Sequence, residues 1–100
     1  MDNYSVRMYP RAYKDLESIY NYISQIIKEN EIAKKSLDDI ESAIYSLEQF
    51  PYRGAERRYG IYANRGYRQL FVRNFNIIYK VEEASKCVMI ITIKYSKSDF

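Results

Sequence analysis

Apolar residues recur at helical spacing through the first half of the chain. From Pro10 they repeat every three or four residues to about Glu29, and a second stripe of this kind runs through residues 31–50. Pro10 suits a helix start, because the first turn needs no amide donor, and Pro51 closes the second stripe. Asn30 lies between the two stripes. We therefore predict two amphipathic helices joined by one or two residues and paired as an antiparallel hairpin.

The second half of the chain has the pattern of β-structure. Residues Tyr67–Arg73, Phe75–Glu82 and Cys87–Tyr95 are rich in β-branched and aromatic side chains, with turns at Asn74 and at residues 83–86. Alternation over residues 4–9 predicts one more strand before the first helix. The order β-α-α-β-β-β predicts an α+β fold, in which the helical hairpin packs on one face of an antiparallel sheet. A chain of 100 residues forms one domain, residues 1–100.

Alternation along the predicted strands also assigns their faces. Leu70 and Val72 share one face of their strand, whereas Phe71 and Arg73 share the other. In the last strand, three residues are predicted to face the core: Met89, Ile91 and Ile93. The other face carries Lys94, and we expect that face of the sheet to be partly open.

Composition excludes several kinds of chemistry. The chain has no histidine and one cysteine, Cys87, so it lacks the ligands of a Cys/His zinc site and the base of a Ser-His-Asp triad. One cysteine forms no internal disulfide, which is typical of a reducing compartment. No signal-like start and no apolar run near about 20 residues is present. We predict a soluble cytoplasmic domain without membrane, metal or cofactor.

Charge is distributed unevenly along the chain. The net charge is +3, but residues 12–50 carry four lysines against eight acids, whereas residues 51–80 carry seven cations against Glu56 alone. Residues 51–66 lack a period and predict a long loop in which arginines alternate with tyrosines, a pattern suited to phosphates and bases. The alternatives are an ordinary basic surface or a dock for an acidic protein. The residues predicted to bind RNA phosphates are Arg57, Arg58, Arg65, Arg68 and Lys94.

Without histidine, proton transfer must use Tyr, Lys, Asp or Glu. Hairpin topology brings Arg73 and Tyr95 to the same end of the sheet, and Lys97 follows in a polar tail. This set suits metal-free RNA cleavage by internal attack, in which an arginine neutralises the developing phosphorane charge and Tyr95 and Lys97 transfer protons. The alternative for each residue alone is a structural tyrosine or a solvated charge.

Several segments occur in an order that is similar to one protein family. They are Pro10–Ala12, Asp15–Ile23, the set Ala33, Ile40, Ala43, Ile44, Leu47, Phe50, Pro51 and Gly54, then Gly66–Arg68, Val72–Phe75, Ile77–Val81 and Tyr95–Phe100. Together they cover almost the full length, and the chain resembles the RelE/ParE toxin superfamily of prokaryotic toxin–antitoxin modules.

The resemblance implies a growth-inhibiting toxin that a co-encoded antitoxin neutralises. RelE-like members cut mRNA in the ribosomal A site without metal, whereas ParE-like members poison DNA gyrase. Arg73 matches the strand-end arginine that RelE-like enzymes use on the scissile phosphate, Tyr95 stands where relatives have His or Tyr, and Lys97 stands where a basic residue is usual.

Two departures remove cations from that pattern. Asn76 and Ile77 replace a Tyr-Arg or His-Arg pair, and Ser98 replaces a frequent arginine. ParE-like chains tolerate such losses, because they need a binding surface rather than a cleavage centre. Our first hypothesis is a ribosome-dependent mRNA endoribonuclease toxin with Arg73, Tyr95 and Lys97 as catalytic residues. The alternatives are a gyrase inhibitor and a degenerate member that binds only its antitoxin.

Overall fold

The computed structural model describes residues 3–27 and 30–96 and confirms the α+β class. The helices are α1, Pro10–Tyr22, which continues into a π-helical turn at Ile23–Ile27, and α2, Asn30–Ser46. The strands are β1 (Ser5–Met8), β2 (Ala55–Glu56), β3 (Tyr67–Val72), β4 (Phe75–Glu82) and β5 (Cys87–Tyr95). Within the described residues, no helix is long and apolar enough to cross a bilayer.

The five strands form one sheet in the order β1-β5-β4-β3-β2. Three of the pairings are antiparallel, as predicted, but β1 runs parallel to β5, so the sheet is mixed. A parallel pair needs a long crossover between its strands, and the helical hairpin and the other strands supply it. β2 lies inside the segment predicted as a loop, because two residues are too short to show a period.

The helices begin where the sequence predicts. Pro10 occupies the first turn of α1. α2 ends at Ser46, four residues before the predicted end, and the Leu47 amide donates to the carbonyl of Ile44 at 3.1 Å in a tighter last turn. Leu47 is still fully buried, so the apolar stripe extends one residue past the helix that carries it.

The main core lies between α2 and one face of the sheet. Ile40, Ile44 and Leu47 of α2 are buried together with Leu70 of β3 and Ile77 of β4. Their neighbours Val72 and Leu16 are partly buried against this cluster. Phe71, between Leu70 and Val72, is exposed, which confirms the predicted faces of these three residues. Arg73, predicted on the face of Phe71, instead bonds to Asp39 of α2, because β3 ends at Val72 and Arg73 belongs to the turn. The helical hairpin thus covers one face of the sheet.

A β-bulge in β5 changes which of its residues reach this core. Ile78 pairs with Thr92, but Tyr79 pairs with Ile90, so Ile91 has no partner on β4. Val88, Ile90 and Ile93 are the β5 residues in the main core cluster. The prediction is correct for Ile93. Ile91 is buried but lies outside this cluster, and Met89 is only partly buried, because strict alternation does not anticipate an extra residue.

Asp15 of α1 attaches the helix to β5 just beyond this bulge. Its Oδ2 accepts a hydrogen bond from the Ile93 amide at 3.0 Å and another from the Thr92 hydroxyl. β1 pairs with β5 only as far as Ile90. The carboxylate therefore satisfies an amide beyond the end of β1, next to the site described below.

Candidate functional site

A cavity of about 580 Å³ lies at the end of the sheet where β3 turns into β4 and where β5 ends. Both helical segments and the sheet contribute to it. Its lining residues are Ser18, Ile19, Tyr22, Ile23, Ser36, Arg73, Asn74, Phe75 and Tyr95. Arg73 is the one charged side chain among these nine. A largely apolar cavity with a few polar groups is the usual form of a ligand site.

Arg73 reaches this cavity from the β3–β4 turn. Its backbone φ is +54°, in the left-handed region that non-glycine residues adopt mainly in tight turns. Its Nε donates to Oδ2 of Asp39 on α2 at 2.6 Å, and both side chains are partly exposed. No other described residue bonds to its guanidinium. The turn and Asp39 therefore fix the arginine while leaving the N–H groups of its two Nη nitrogens available.

Tyr95 lines the same cavity from the end of β5. Its ring packs edge-on against the ring of Phe75, with 5.8 Å between centroids, and Phe75 belongs to the main core. Tyr95 therefore lies on the helix side of the sheet. The structure brings Arg73 and Tyr95 to one cavity, as hairpin topology indicates. Lys97 lies outside the described residues.

Lys94 lies on the opposite face of the sheet. It pairs with Asn76 of β4, whereas its neighbour Tyr95 pairs with Phe75, and successive strand residues point to opposite faces. Asn76 is fully buried, and its amide nitrogen donates to Oε1 of Gln69 at 3.2 Å. Lys94 therefore does not share the cavity with Arg73 and Tyr95, although it is adjacent in sequence.

Arg57 and Arg68 stabilise the segment before β3 through hydrogen bonds of their guanidinium groups. Arg57 is only 4% exposed, and its Nη1 donates to Oε1 of Gln69 at 2.9 Å, while its Nε donates to the Ile61 carbonyl. Arg68 donates to the Gly54 carbonyl from Nε at 3.0 Å and from Nη2 at 2.6 Å. Phosphate binding by these two arginines stays a prediction, but their donors already stabilise the fold.

Arg58 and Arg65 are placed differently from these two anchors. Both are exposed, and the Arg58 side chain, 72% exposed, forms a 3.6 Å ion pair with Glu56. Exposed guanidinium groups of this kind remain accessible to an anionic partner, because water and screening weaken the surface pair. Of the four loop and β3 arginines predicted to bind phosphate, these two are the accessible ones.

A second polar cluster joins three distant parts of the chain. Glu83 in the β4–β5 turn accepts hydrogen bonds from the hydroxyls of Tyr4 and Tyr52, and Lys86 lies 3.2 Å from it. The bond to Glu83 raises the pKa of Tyr52 to about 12, and the bonds from Tyr52 and then Tyr4 lower the pKa of Glu83. Raising the pKa keeps Tyr52 protonated, so the cluster is suited to attachment rather than to proton transfer.

Sequence reasoning missed Ser36, which lines the cavity, and Asp39, which bonds to Arg73. Both lie on α2, where an acid and a serine read as ordinary members of the polar and intermediate positions of an amphipathic helix. Their relation to Arg73 depends on how α2 crosses the β3–β4 turn, 34 residues away for Asp39. No pattern in the local sequence reports such a crossing.

Comparison with known proteins assigns this chain to a family. A family model described as the ParE toxin of type II toxin–antitoxin system, parDE, matches residues 6–100. The match extends over nearly the whole chain, so the protein belongs to the ParE toxin family of type II toxin–antitoxin systems, within the RelE/ParE superfamily.

Solved structures agree with this assignment. A chain of the chromosomal ParDE toxin–antitoxin system from P. aeruginosa is 27% identical, with 92% of this chain and 95% of that chain covered and a TM-score of 0.71. A chain of the RelBE2 toxin–antitoxin complex from Mycobacterium tuberculosis is 19% identical, with 95% of this chain and 93% of that chain covered and a TM-score of 0.65. A mutant of E. coli toxin RelE in the free state is 12% identical, with 96% of this chain and 86% of that chain covered and a TM-score of 0.66. The last two show a shared fold only. A search of curated proteins gives no significant match.

Proposed function

We propose that this protein is a ParE-like toxin that inhibits its target by binding rather than by cutting RNA. The observation that carries this proposal is the division of the residues predicted to act on RNA between the two faces of the sheet. Arg73 and Tyr95 line the cavity on the helix side, whereas Lys94 pairs with Asn76 on the other face. Cleavage by internal attack needs a base, an acid and a cation around one phosphate.

The residues at the cavity support binding more than chemistry. Ile19, Ile23 and Phe75 form apolar walls, and Asp39 offsets the charge of Arg73 at 2.6 Å. Apolar walls with one oriented cation fit a protein segment better than a polyanion. The ParE family match and the 27% identity to the P. aeruginosa ParDE chain favour the same assignment. By resemblance to ParE-like toxins, the target is DNA gyrase and the neutralising partner is a cognate antitoxin.

A supercoiling assay with purified DNA gyrase tests this proposal. We expect the full-length protein to inhibit supercoiling, and we expect Tyr95→Phe to inhibit nearly as well, because the phenyl ring retains the contact with Phe75. A parallel cell-free translation reaction, with mapping of mRNA 5′ ends, should show intact message. Unimpaired gyrase together with new cuts in ribosome-engaged mRNA would overturn the proposal.

The second candidate function is the ribosome-dependent mRNA endoribonuclease of our first hypothesis. The observation in its favour is that Arg73 and Tyr95 line one cavity. In this function, Lys97 completes proton transfer, and Arg57, Arg58, Arg65, Arg68 and Lys94 hold rRNA and mRNA phosphates. Cleavage that is abolished by Tyr95→Phe or Lys97→Ala and retained by Arg11→Met would establish it, because Arg11→Met removes the same charge as Lys97→Ala from a residue that does not line the cavity.

A further inference from the structure

We propose that the cavity at the β3–β4 turn binds a peptide segment in which an acidic side chain adjoins a large apolar one. The acidic group would bind the Nη atoms of Arg73, and the apolar side chain would fill the space beside Phe75 and Tyr95. This inference rests on the proposed function, since it names the chemistry of the protein segment that the toxin binds.

Asp39 bonds to Arg73 through one of the three guanidinium nitrogens. The ion pair uses the guanidinium Nε, at 2.6 Å from Asp39 Oδ2, and both Nη nitrogens bond to no described residue. A guanidinium has five N–H donors in a fixed plane. When Nε bonds to Asp39, the N–H groups of the two Nη nitrogens can still bind a second carboxylate with both of its oxygens. Asp39 is thus a positioning residue for Arg73.

The walls of the cavity are mainly apolar. Ile19 and Ile23 on one side, and Phe75 and Tyr95 on the other, give the cavity apolar surfaces, and Ser36 is buried at its α2 wall. At about 580 Å³, the space is larger than a single anion needs. An inorganic anion alone would leave these apolar surfaces in water, whereas an apolar side chain beside the carboxylate would bury them.

The charge of the cavity lining favours a peptide over RNA. Among the described residues that line the cavity, Arg73 is the one cation, whereas Lys94 lies on the other face of the sheet. A nucleic acid presents a phosphate at every nucleotide, and its affinity depends on several cations along its path. One oriented arginine between apolar walls matches a single carboxylate in a peptide.

Binding of two blocked dipeptides to the full-length protein tests the inference. The probes are acetyl-Glu-Phe-amide and acetyl-Gln-Phe-amide, which differ in charge but hardly in shape, and amide NMR shifts report affinity. We expect the Glu peptide to bind about tenfold more tightly, because its carboxylate forms charge-assisted hydrogen bonds with Arg73, whereas the amide of the Gln peptide is neutral. The shifts should be centred on Asn74 and Phe75, and the Nε–H signal of Arg73 should persist as the peptide binds.

Two variants make the comparison specific. Arg73→Met removes the cation and should reduce the preference for the Glu peptide to none, whereas Arg11→Met removes an equal charge from the exposed start of α1 and should keep it. Equal affinity of the two peptides for the wild-type protein would overturn the inference without any variant. So would tighter binding of a dinucleoside monophosphate, or loss of the Arg73 Nε–H signal on binding. None of these outcomes depends on gyrase, so failure here is distinguishable from failure of the proposed function.

Discussion

The two ends of β3 each carry an arginine, and the fold uses the two in different ways. Arg68, near the start of the strand, donates to the carbonyls of Gly54 and Tyr52, and its guanidinium lies 5.1 Å from the centroid of the Tyr52 ring. Arg73, just after the strand, has one ion pair with Asp39 and lines a cavity. The region around Arg68 holds the preceding loop in place. The region around Arg73 is a candidate binding site, in which the Nη groups of the arginine bond to no described residue.

This difference shows how a cluster of arginines should be interpreted. A basic stretch predicts anion binding only where the N–H groups are not already bonded to the protein's own carbonyls. Arg57 and Arg68 fix the segment before β3, so their charges support the loop, whereas Arg58, Arg65 and Arg73 present accessible donors.

Gly54→Ala should produce the largest loss of stability. A Cβ at this position would lie 2.5 Å from the Gln69 carbonyl oxygen and 2.7 Å from the Tyr79 hydroxyl, so the loop would have to move away from the sheet. We expect a loss of about 3 kcal/mol in the free energy of unfolding, measured by urea denaturation.

Gly66→Ala is the matched control for Gly54→Ala. Its φ is +85°, but a Cβ would meet only the Lys80 side chain, at 3.9 Å. The expected loss is about 1 kcal/mol, from backbone conformation alone. Equal losses in the two variants would mean that the close approach at Gly54 does not determine how the loop is held.

Arg68→Met and Arg73→Met should differ in their effects on stability. Arg68→Met leaves the Gly54 carbonyl without its charged donors, and we expect a loss of about 2 kcal/mol. Arg73→Met removes a partly exposed ion pair and should change stability by less than about 1 kcal/mol. Urea denaturation of both variants measures the difference, and the reverse order would contradict the assignment of anchor and site.

Tyr79→Phe should have a smaller effect in the anchor region. The Gly54 amide donates to the Tyr79 hydroxyl at 3.0 Å, and burial raises the pKa of this tyrosine, whose side chain is fully enclosed. Without the hydroxyl, a buried amide loses its acceptor, so we expect a loss of about 1 kcal/mol. Amide hydrogen exchange at Gly54 should accelerate more than exchange at Asn74, which lies in the cavity region.

The exposed Tyr52–Glu83 contact should have the smallest effect, visible mainly as a dependence on pH. The lowered pKa of Glu83 means that its contribution is present above the unfolded value near 4.5 and is lost as pH falls through the folded value. The raised pKa of Tyr52 means that its contribution is complete below 10.0 and is lost as pH rises toward about 12.

Ultraviolet titration of the tyrosines tests this contact at high pH. The wild-type protein should contain one more late-titrating tyrosine than Tyr52→Phe. At acid pH, Glu83→Gln should weaken the pH dependence of the unfolding midpoint, and Glu56→Gln serves as a control at an exposed glutamate in the basic loop. A wild-type profile identical to that of Glu83→Gln would mean that the contact is absent in solution.

Local patterns predicted most of the secondary structure. The strand limits predicted at Phe75–Glu82 and Cys87–Tyr95 agree with the structure, because turn residues on either side of a β-branched run mark where the strand begins and ends. The predictions that failed needed information from a second segment. The bulge at Ile91 and the parallel pairing of β1 are properties of two strands, and neither strand alone encodes them.

The sequence by itself determined the class of fold, the order of the two helices and the four longer strands, and the meeting of Arg73 with Tyr95, since adjacent hairpins must bring those chain positions together. Tertiary structure alone decided which cations lie on the same face of the sheet, and which arginines keep N–H groups that bond to no described residue. These properties depend on how α2 crosses the β3–β4 turn, where Asp39 meets Arg73, and on the approach of Gly54 to β3 and β4. Periodicity describes which side of an element is buried, but hydrogen bonds between distant elements depend on their packing.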